Sequence, residues 1–508
     1  MEDFKKIKTA LISVYHKDNL EVIIRKLNSL GVQLISTGGT FDYIQKLGIE
    51  ALPVEDISNY PAILGGRVKT LHPKIMGGIL ARRNNKDDQD TLKKYEISEI
   101  DLVIVDLYPF EETLKNTSDE AEIIEKIDIG GITLIRAAAK NYSDVLVVGS
   151  SAQYPDLLQL LNDKQGCSEI NDRKKFAGLA FHVSSDYDTA IFNYFNEGTD
   201  EKIFKKSISS SRTLRYGENP HQQGIFYGNL NEVFEQLHGK EISYNNLIDI
   251  DSGINLINDF DETTFAIIKH TNACGLASRA KLLDAWKDAL AADPVSAYGG
   301  VLITNATIDL DTAQEINKLF FEIILAPGYQ KKALELLQLK KNRIILQAKS
   351  NQLPERLFKS VLNGVIEQTR DNMVETSGQM KSVTTLTPSA TEMEDLIFAN
   401  KVVKHLKSNT IVLAKNKQLI ASGVGQTSRV DALKQAVAKA GEFGFDLHGA
   451  VMASDAFFPF ADSAEIADKA GIKAIIQPGG SIRDNNTINY CNDHGLSMVF
   501  TGIRHFKH

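Results

Sequence analysis

Short apolar runs alternate with amphipathic stretches over roughly the first 150 residues of the chain. Residues 9–14, 32–37, 101–107 and 145–148 are short runs rich in aliphatic and β-branched side chains, whereas residues 20–30 repeat apolar positions at helical spacing. Continuous apolar runs are typical of strands that are covered on both faces of a parallel sheet. The alternation therefore predicts an α/β domain whose ligands bind at the carboxyl ends of its strands.

Two polar stretches interrupt this pattern. The Ser-rich stretch at residues 198–212 is the predicted main domain boundary, and residues 369–394, which lack periodicity, are predicted to divide the C-terminal part. The resulting assignment is one domain of residues 1–198 and a second of 199–508, the latter with lobes of about 199–375 and 376–508. Two lobes of similar size leave a diverged duplication open, which the sequence alone does not establish.

Length and composition restrict the class of protein. A chain of 508 residues exceeds one ordinary hydrophobic core, and its acidic balance (net charge −8) argues against a nonspecific nucleic-acid binder, which usually carries a basic surplus. We find no apolar run of membrane-spanning length and no N-terminal signal pattern, and we expect a cytoplasmic protein that binds small anionic metabolites rather than nucleic acid or a membrane. The three cysteines are far apart, which argues against a disulfide scaffold and a thiolate metal site.

The stretch at residues 65–74 combines glycines with fixed cations. Gly65 and Gly66 precede Arg67 and Lys69 within a few positions. Glycine lets backbone N–H groups approach a ligand closely, and arginine and lysine suit phosphate or a developing oxyanion. The stretch predicts an anion site, with a basic solvated turn as the alternative.

A second polar group follows in the same predicted domain. Asp128 precedes a Gly-Gly pair and a predicted helix at residues 133–140, which ends in Lys140. Arg136 lies one turn before Lys140 on the same helix face, and a solvated helix face is the alternative interpretation of these two cations. With Lys69 and Tyr108, Asp128 and Lys140 are candidates for a proton-transfer and oxyanion cluster, because a buried lysine near other cations can have its pKa lowered.

The C-terminal part has a candidate of its own, at the end of an apolar strand. The run at residues 266–275 ends its apolar portion in Lys269 and His270. A histidine at a strand end is often a hydrogen-bonded structural residue. Beside a lysine in a Gly-containing loop it is a candidate base, because imidazole titrates near neutrality and the ammonium can hold an anionic oxygen.

Other motifs narrow the ligand class. Gly423 and Gly425 lack the third glycine and downstream acid of a dinucleotide fingerprint, and we find no P-loop, so neither NAD binding nor P-loop ATP hydrolysis is expected. The aromatic run at residues 457–460 is either core or, beside Asp462, a sandwich for a planar heterocycle. Residues 501–508 follow an apolar strand and carry Arg, two His and Phe, so we predict a docked tail although chain ends are commonly disordered.

Together these motifs resemble one family closely, the bifunctional enzymes that are both AICAR transformylase and IMP cyclohydrolase. The resemblance runs from about Ala10 to His508, and its motifs occur in order: GGRVKTLHPK, IDIGG, RAAAKN, LRYGENPHQ, SYNN, KHTNACG, SAYGG, SNTIVLAK, GQTSRVD, SDAFFPF, QPGGS and the RHFKH tail. It implies an α/β protein with a methylglyoxal-synthase-like three-layer domain that has a parallel sheet, followed by two cytidine-deaminase-like α/β lobes. Tyr15 and His16 depart from the family's usual Ser and Asp, so the ligand contacts of that loop are open.

The resemblance also implies site residues. For the cyclohydrolase they are the catalytic candidates Lys69, Tyr108, Asp128 and Lys140 and the substrate-binding candidates Lys17, Thr37, Gly38, Gly39, Thr40, Arg67 and Thr70. For the transformylase they are the catalytic pair Lys269 and His270 and the substrate-binding candidates Arg215, Tyr216, Gly299, Glu322, Asn409, Arg429, Phe457, Asp462, Ser481 and Arg504.

The implied chemistry is the last two steps of IMP synthesis. The co-substrate is 10-formyltetrahydrofolate, and the purine ribotides are AICAR, formyl-AICAR and IMP. No catalytic metal is expected, because the chain lacks the zinc-ligand motifs of true deaminases. A structural potassium ion and a homodimer with transformylase sites at the subunit interface are further expectations. Two rival classes are a regulatory nucleotide-binding module, which would bind purine ribotides without turnover, and a zinc deaminase, against which the missing zinc ligands argue.

Overall fold

The computed structural model describes residues 4–350 and 352–508 and divides the chain into two compact units. Unit 1 ends at Ser209, and unit 2 is Ser210–His508. The division falls inside the Ser-rich stretch. Over the described residues, no helix is both long enough and apolar enough to cross a membrane.

Unit 1 alternates strands and helices along its sequence. Its strands are β1 (Lys5–Lys6), β2 (Thr9–Val14), β3 (Gln33–Ser36), β4 (Leu52–Pro53), β5 (Leu102–Asp106), β6 (Leu146–Val148) and β7 (Cys167–Ser168). Its α-helices are α1 (Leu20–Ser29), α2 (Gly38–Lys46), α3 (Val54–Ser58), α4 (Pro73–Leu80), α5 (Lys86–Lys94), α6 (Phe110–Asn116), α7 (Glu120–Glu125), α8 (Gly130–Lys140), α9 (Tyr154–Asp163) and α10 (Ile170–Asn196).

A five-stranded parallel sheet forms the centre of unit 1. Its strand order is β4-β3-β2-β5-β6, and every neighbouring pair is parallel. The four apolar runs in the sequence correspond to β2, β3, β5 and β6, with bounds that differ by at most one residue at either end. Parallel order brings the segments that follow β2, β3 and β5 to one edge of the sheet, where ligands bind in α/β folds.

Helices cover both faces of this sheet, which gives unit 1 three layers. Along β2, Ala10 and Ile12 pack into a core with α1 and α9, whereas Leu11 packs into a separate core with α4 and α8. Both faces of the strand are therefore apolar, which is why the strands read as continuous hydrophobic runs.

Unit 2 has more elements. Its strands are β8 (Ser211–Leu214), β9 (Gly224–Tyr227), β10 (Phe234–His238), β11 (Thr264–Lys269), β12 (Asn272–Ser278), β13 (Val301–Thr304), β14 (Ile323–Ala326), β15 (Ile344–Ala348), β16 (Arg356–Val361), β17 (Gly364–Thr369), β18 (Lys381–Ser382), β19 (Ile411–Lys415), β20 (Gln418–Gly423), β21 (Val451–Ser454), β22 (Ala474–Gln477) and β23 (Ser497–Phe500). Its α-helices are α11 (Tyr244–Ile257), α12 (Leu282–Ala292), α13 (Leu310–Ile316), α14 (Lys331–Gln338), α15 (Ala390–Lys404), α16 (Arg429–Glu442), α17 (Asp462–Lys469) and α18 (Asp484–His494).

One sheet of twelve strands runs through unit 2, and its order is an internal repeat. From one edge the order is β10-β15-β14-β13-β11-β12, and from the other edge it is β18-β23-β22-β21-β19-β20. The parallel and antiparallel pairings match strand for strand, and the halves meet where β12 pairs with β20. The two lobes, β10–β15 with α11–α14 and β18–β23 with α15–α18, are therefore a structural duplication.

The core of unit 2 is shared between the lobes on one face of this sheet. Side chains of α11 and α15 join one hydrophobic cluster that contains residues of both lobes. On the opposite face, α12–α14 cover the first lobe and α16–α18 cover the second, each with its own cluster. Unit 2 is thus also three-layered, and its two lobes are joined by a common layer.

Candidate active sites

In unit 1, the ammonium of Lys69 lies between two glycines that follow the carboxyl end of the sheet. A Cβ on Gly38, the first residue of α2, would come within 3.1 Å of Lys69 Nζ, and a Cβ on Gly66 would overlap Lys69 Cε. Both glycines have positive φ, 38° and 90°. Lys69, from the predicted anion site at residues 65–74, thus lies beside the N-terminus of α2; a helix N-terminus also favours an anion, and the site stays a prediction.

The other residues of the first α2 turn are fixed from neighbouring strands. The Thr37 hydroxyl lies 2.9 Å from the hydroxyl of Ser13, and the Thr40 hydroxyl donates to the Val14 carbonyl at 3.0 Å. A Cβ on Gly39 would meet nothing within 4 Å. These contacts hold the predicted Thr37–Thr40 segment at the ends of β2 and β3.

Asp128 caps the start of α8. Its Oδ1 accepts the Gly131 N–H at 2.6 Å, and a Cβ on Gly131 would clash with Asp128 Oδ2. Burial raises the pKa of Asp128, against hydrogen bonds from backbone N–H groups of Gly131, Tyr108 and Gly130 that lower it. Thr70 is buried beside the same helix start, with its hydroxyl 3.1 Å from where a Gly130 Cβ would lie.

Aromatic side chains lie beside this site. They belong to Tyr108 and to Tyr15 and His16, the two residues that differ from the usual family sequence. The rings of Tyr15 and Tyr108 meet edge to face at 5.4 Å, and the Lys126 ammonium lies over both of them. Burial raises the pKa of the Tyr108 phenol, and the nearby Asp128 carboxylate raises it further. His16 bonds to Asp106 at 2.8 Å, so the departure from the family pattern is anchored to the end of β5.

Two other predicted cations of unit 1, Lys17 and Arg67, already have polar partners within the chain. Lys17 Nζ donates to the carbonyls of Val14 and Tyr15, and burial lowers its pKa although Asp106 opposes the shift. The exposed guanidinium of Arg67 is paired with Glu125, which raises the pKa of Arg67. Both cations are available at the carboxyl edge, but Arg67 must exchange Glu125 for any anionic ligand.

Lys140 is the predicted catalytic residue that the fold separates from the other three. It is the last residue of α8, and at 1.5 Å per residue it lies about 15 Å along the helix from the end that Asp128 caps. The following residue, Asn141, donates to the carbonyls of Ile79 and Ala81, which lie at the end of α4. The prediction that Lys140 lies in one cluster with Lys69, Tyr108 and Asp128 is therefore corrected, because Lys140 lies at the opposite end of α8 from Asp128. The catalytic role of Lys140 stays a prediction.

In unit 2, Lys269 and His270 lie at the end of β11, as the sequence predicts. Lys269 Nζ donates to the Tyr298 carbonyl at 2.8 Å, and a Cβ on Gly299 would come within 3.2 Å of that nitrogen. The ring of Tyr298 packs against Phe320 at 5.0 Å. His270 is exposed, so its imidazole faces solvent beside the lysine.

Glu322 is held near this pair by two polar residues. Asn246 Nδ2 donates to Glu322 Oε2 at 3.1 Å, and Lys240 Nζ lies 3.8 Å from the same oxygen. Glu322 begins the segment that leads into β14, and its N–H donates to the Gly300 carbonyl. The Gly299–Gly300 loop therefore joins the predicted Glu322 to the Lys269 site.

A second cluster in unit 2 consists of arginines around the docked tail. Arg429 lies 3.4 Å from Asp455, and its guanidinium and that of Arg504 both lie over the Phe506 ring, at 5.7 Å and 4.3 Å. Burial lowers the pKa of Arg429, and Asp455 partly offsets the shift. The predicted docking of the tail is confirmed, because His505 is 2% exposed and its ring nitrogens bond to Asp371 and Glu375.

Further contacts join the tail and the turn after β11. Lys507 Nζ lies 3.2 Å from the Ser252 hydroxyl, which donates to the Thr271 carbonyl at 2.7 Å. The predicted Asn409 is held by Gln426, whose carbonyl accepts from its side-chain nitrogen at 3.0 Å. The bonds of Ser252 therefore connect the tail to the turn that carries His270.

The remaining predicted residues occupy separate loops. Arg215 bonds to the Tyr216 hydroxyl at 2.8 Å and lies over its ring. Phe457 is exposed while its neighbour Phe458 is fully buried, so the aromatic run divides between surface and core. The other two are Asp462, which starts α17, and Ser481, whose N–H donates to Asp484.

Several residues in these sites were not singled out from the sequence. They are Asp249, Ser252, Lys126, Asp455 and Phe506. Asp249 has no sequence signal of its own; its equivalence to Asp395, the sixth residue of α15 as Asp249 is of α11, becomes visible only with the helix bounds of the structure. Among the described residues, no group of three or more His, Cys, Asp or Glu side chains is arranged to hold a metal ion.

Two α/β units, each with candidate cations and glycines at strand ends, are the architecture of an α/β enzyme. The family model described as "AICARFT/IMPCHase bienzyme" matches residues 138–439, and the model described as "MGS-like domain" matches residues 19–133. The chain belongs to the AICARFT/IMPCHase bienzyme family. It is a bifunctional enzyme of purine biosynthesis, with AICAR formyltransferase and IMP cyclohydrolase activities that perform the last two steps.

Similar proteins cover the whole chain. "Bifunctional purine biosynthesis protein PurH" of Bacteroides thetaiotaomicron is 61% identical over 508 residues, 100% of both chains. The proteins of that name from Acetivibrio thermocellus and Aquifex aeolicus are 47% and 45% identical, over 99% and 98% of this chain and 100% of each relative. A solved structure titled "Crystal structure of ForH" is 34% identical, covering 37% of this chain and 99% of its own, with a TM-score of 0.34.

Proposed function

We propose that unit 1 closes the purine ring and that unit 2 transfers the formyl group. What supports the division is that the two candidate sets lie in different compact units, each beside its own sheet. Lys69, Tyr108 and Asp128 belong to unit 1, and Lys269 and His270 belong to unit 2. Each step can then be removed without the other.

For formyl transfer, we propose that His270 is the base. The 5-amino nitrogen of AICAR attacks the formyl carbon of 10-formyltetrahydrofolate, and His270 takes the amino proton as the new C–N bond forms. The bond from the formyl carbon to N10 then breaks, and N10 is protonated to give tetrahydrofolate. Lys269, fixed beside Gly299, lies next to His270 and holds the charge that develops on the formyl oxygen.

For ring closure, we propose that unit 1 binds formyl-AICAR with its phosphate near the α2 N-terminus and its reacting groups near Asp128. The carboxamide nitrogen attacks the formyl carbon, and the formyl oxygen leaves as water after protonation. We propose that Asp128, whose pKa is raised by burial, moves these protons together with the neighbouring Tyr108 and Lys69. Orientation of the two reacting ends supplies much of the rate, roughly 7–11 kcal/mol in favourable cases.

We also propose a structural potassium ion at Asp455. This residue is 1% exposed, and its Oδ2 has no hydrogen-bond partner among the described residues. An unpartnered buried carboxylate oxygen is costly and suits a hard cation, which prefers oxygen ligands. If the ion binds there, exchange of potassium for a larger organic cation lowers the Tm of the wild type but leaves the Tm of Asp455→Asn unchanged. Equal shifts in both proteins would contradict the site.

The assembly is proposed to be a homodimer in the cytoplasm, with formyl-transfer sites completed at the subunit interface. This proposal follows from the family resemblance; Arg215, Arg504 and His270 are exposed in the single chain, so they are accessible to a second subunit. Mixing two inactive variants that fail on different sides of the interface is then expected to restore part of the activity.

Separate assay of the half-reactions tests the division between units. His270→Ala is expected to lose formyl transfer at least about 100-fold, as removal of a general base typically does, and to keep cyclisation of supplied formyl-AICAR. Lys69→Ala is expected to show the reverse. The resemblance predicts that Lys140→Ala also loses cyclisation and keeps formyl transfer. If Lys140→Ala retains cyclisation, proton transfer is confined to the residues at the carboxyl ends of the strands. Loss of both steps in a folded His270→Ala protein would refute the two-site assignment.

A further inference from the structure

The duplication in unit 2 supplies an internal comparison for the turn that carries His270. Lys269 ends β11 and Lys415 ends β19, and each ammonium donates to the carbonyl of the residue before a left-handed glycine. The two-residue turns that follow are His270–Thr271 in the first lobe and Asn416–Lys417 in the second. The first lobe therefore keeps a lysine-histidine pair where the second has a lysine-asparagine pair.

Both residues of the His270–Thr271 turn have left-handed backbones. Their φ angles are 52° and 67°. A β-branched residue such as Thr271 is a genuine outlier there, and such a conformation persists only when surrounding contacts enforce it. The turn sets the direction in which the His270 side chain leaves the sheet.

Asp249 on α11 provides one of these contacts. Its Oδ1 accepts the Thr271 N–H at 2.7 Å, while the Ser252 hydroxyl on the next turn of the helix donates to the Thr271 carbonyl. Burial raises the pKa of Asp249, and the bond from Thr271 together with the charges of His270 and Lys269 opposes that shift. Asp249 also feels Glu322 as a like charge.

Asp395 makes the same kind of contact in the second lobe. It is the sixth residue of α15, as Asp249 is of α11, and its two oxygens accept the N–H groups of Asn416 and Lys417 at 2.7 Å and 2.6 Å. An aspartate that supports a left-handed turn is thus built into both lobes. Only in the first lobe does that turn carry the proposed base.

We propose that Asp249 is a positioning residue for formyl transfer, which fixes the turn through the Thr271 N–H and so aims His270 and Lys269 at the reacting groups. This inference rests on the proposed role of His270. It goes beyond that role because Asp249 lies on a helix behind the turn and acts through Thr271. Misplacement of a catalytic group by about 1 Å can cost 100-fold in rate.

The test compares Asp249 variants with Asp395→Ala, the matched control in the other lobe. Asp249→Ala is expected to lower kcat for formyl transfer by about 10- to 100-fold, with KM for AICAR within about threefold of wild type. Asp249→Asn, whose side-chain oxygen can still accept the bond, is expected to keep kcat within about fivefold. Asp395→Ala is expected to lose comparable thermal stability yet keep formyl transfer. Ring closure, measured on formyl-AICAR, is expected to be unchanged in all three.

A second-site variant tests the backbone argument directly. Glycine adopts positive φ without strain, so Thr271→Gly in the Asp249→Ala background is expected to recover most of the lost kcat. Wild-type kcat in Asp249→Ala, equal loss in Asp395→Ala, or no recovery in the double variant would each overturn the proposal. The His270→Ala variant distinguishes failure of the positioning role from failure of the proposed base. If His270→Ala retains formyl transfer, His270 is not the base. If His270→Ala loses formyl transfer while Asp249→Ala keeps it, only the positioning role of Asp249 is wrong.

Discussion

At the residue scale, two glycines leave the space that Lys69 occupies in the proposed anion site of unit 1. Gly38 and Gly66 both have positive φ, and at both positions the missing Cβ leaves room for the lysine chain. The glycines therefore do two things that no other residue does, since they adopt the left-handed backbone and leave the ammonium beside the start of α2. A cation placed there meets the partial positive charge of the helix end, and both favour an anionic ligand.

Gly66→Ala is expected to lower ring closure at least about tenfold, because its Cβ overlaps Lys69 Cε and displaces the ammonium. Gly48→Ala is the matched control: Gly48 has φ 73°, but a Cβ there meets nothing within 4 Å. Both variants carry the strain of a left-handed alanine, about 1–2 kcal/mol. Cyclisation of formyl-AICAR and the Tm are measured for each. Similar cyclisation rates in the two variants would show that the position of Lys69 does not matter.

At the scale of elements, the C-terminal segment combines two titrating groups of opposite effect. Burial lowers the pKa of His505, but hydrogen bonds to Asp371 and Glu375 outweigh it and raise the pKa to about 9. Burial lowers the pKa of Lys507 to about 8, against the attraction of Asp251, and the nearby Lys407 lowers it further. Both side chains are tied to loops and helices of unit 2, so their charges affect how firmly the tail is docked.

The two groups give opposite slopes of stability against pH. The folded pKa of His505 is raised, so its contribution is fully present below pH 6.5 and is lost as pH rises toward 9. The folded pKa of Lys507 is lowered, so stability is gained between about pH 8 and 10.5. In His505→Asn the fall in unfolding free energy between pH 6.5 and 9, up to about 3 kcal/mol in the wild type, is expected to disappear. Urea unfolding across that range measures it, and an unchanged pH profile in the variant would contradict the assignment.

Element positions in unit 1 follow from the sequence because they are local. The continuous apolar runs at β2 and β5 predict buried parallel strands directly, and the bounds agree within one residue. The duplication of unit 2 is not predictable in this way, since it lies in strand order and contacts such as those of Asp249 and Asp395 rather than in a repeated motif. Lys140 shows a different limit: the sequence predicts that its helix ends at Lys140, but not that the helix begins at Gly130, directly after Asp128 and Ile129.

At the scale of the whole molecule, the arrangement of cores determines how the chain unfolds. Unit 1 has its own sheet and two clusters of its own, whereas the two lobes of unit 2 share one sheet and one cluster. A shared layer couples elements that are far apart in sequence, so the duplicated lobes have lost the independence that separate domains have. The functional consequence is that Lys269 in the first lobe and Arg429 in the second are carried by one cooperative body.

We therefore expect two unfolding transitions rather than three. Ile303→Ala in the first lobe and Ile476→Ala in the second remove side chains from the same buried cluster and should both lower the transition of unit 2, each by about 2–5 kcal/mol. Ile104→Ala, in a cluster of unit 1, should lower only the other transition. Hydrogen exchange resolved along the chain assigns each transition to its residues. If Ile303→Ala opened the first lobe while β19–β23 stayed protected, the lobes would be separate folding units, and the shared layer would be a contact surface rather than a common core.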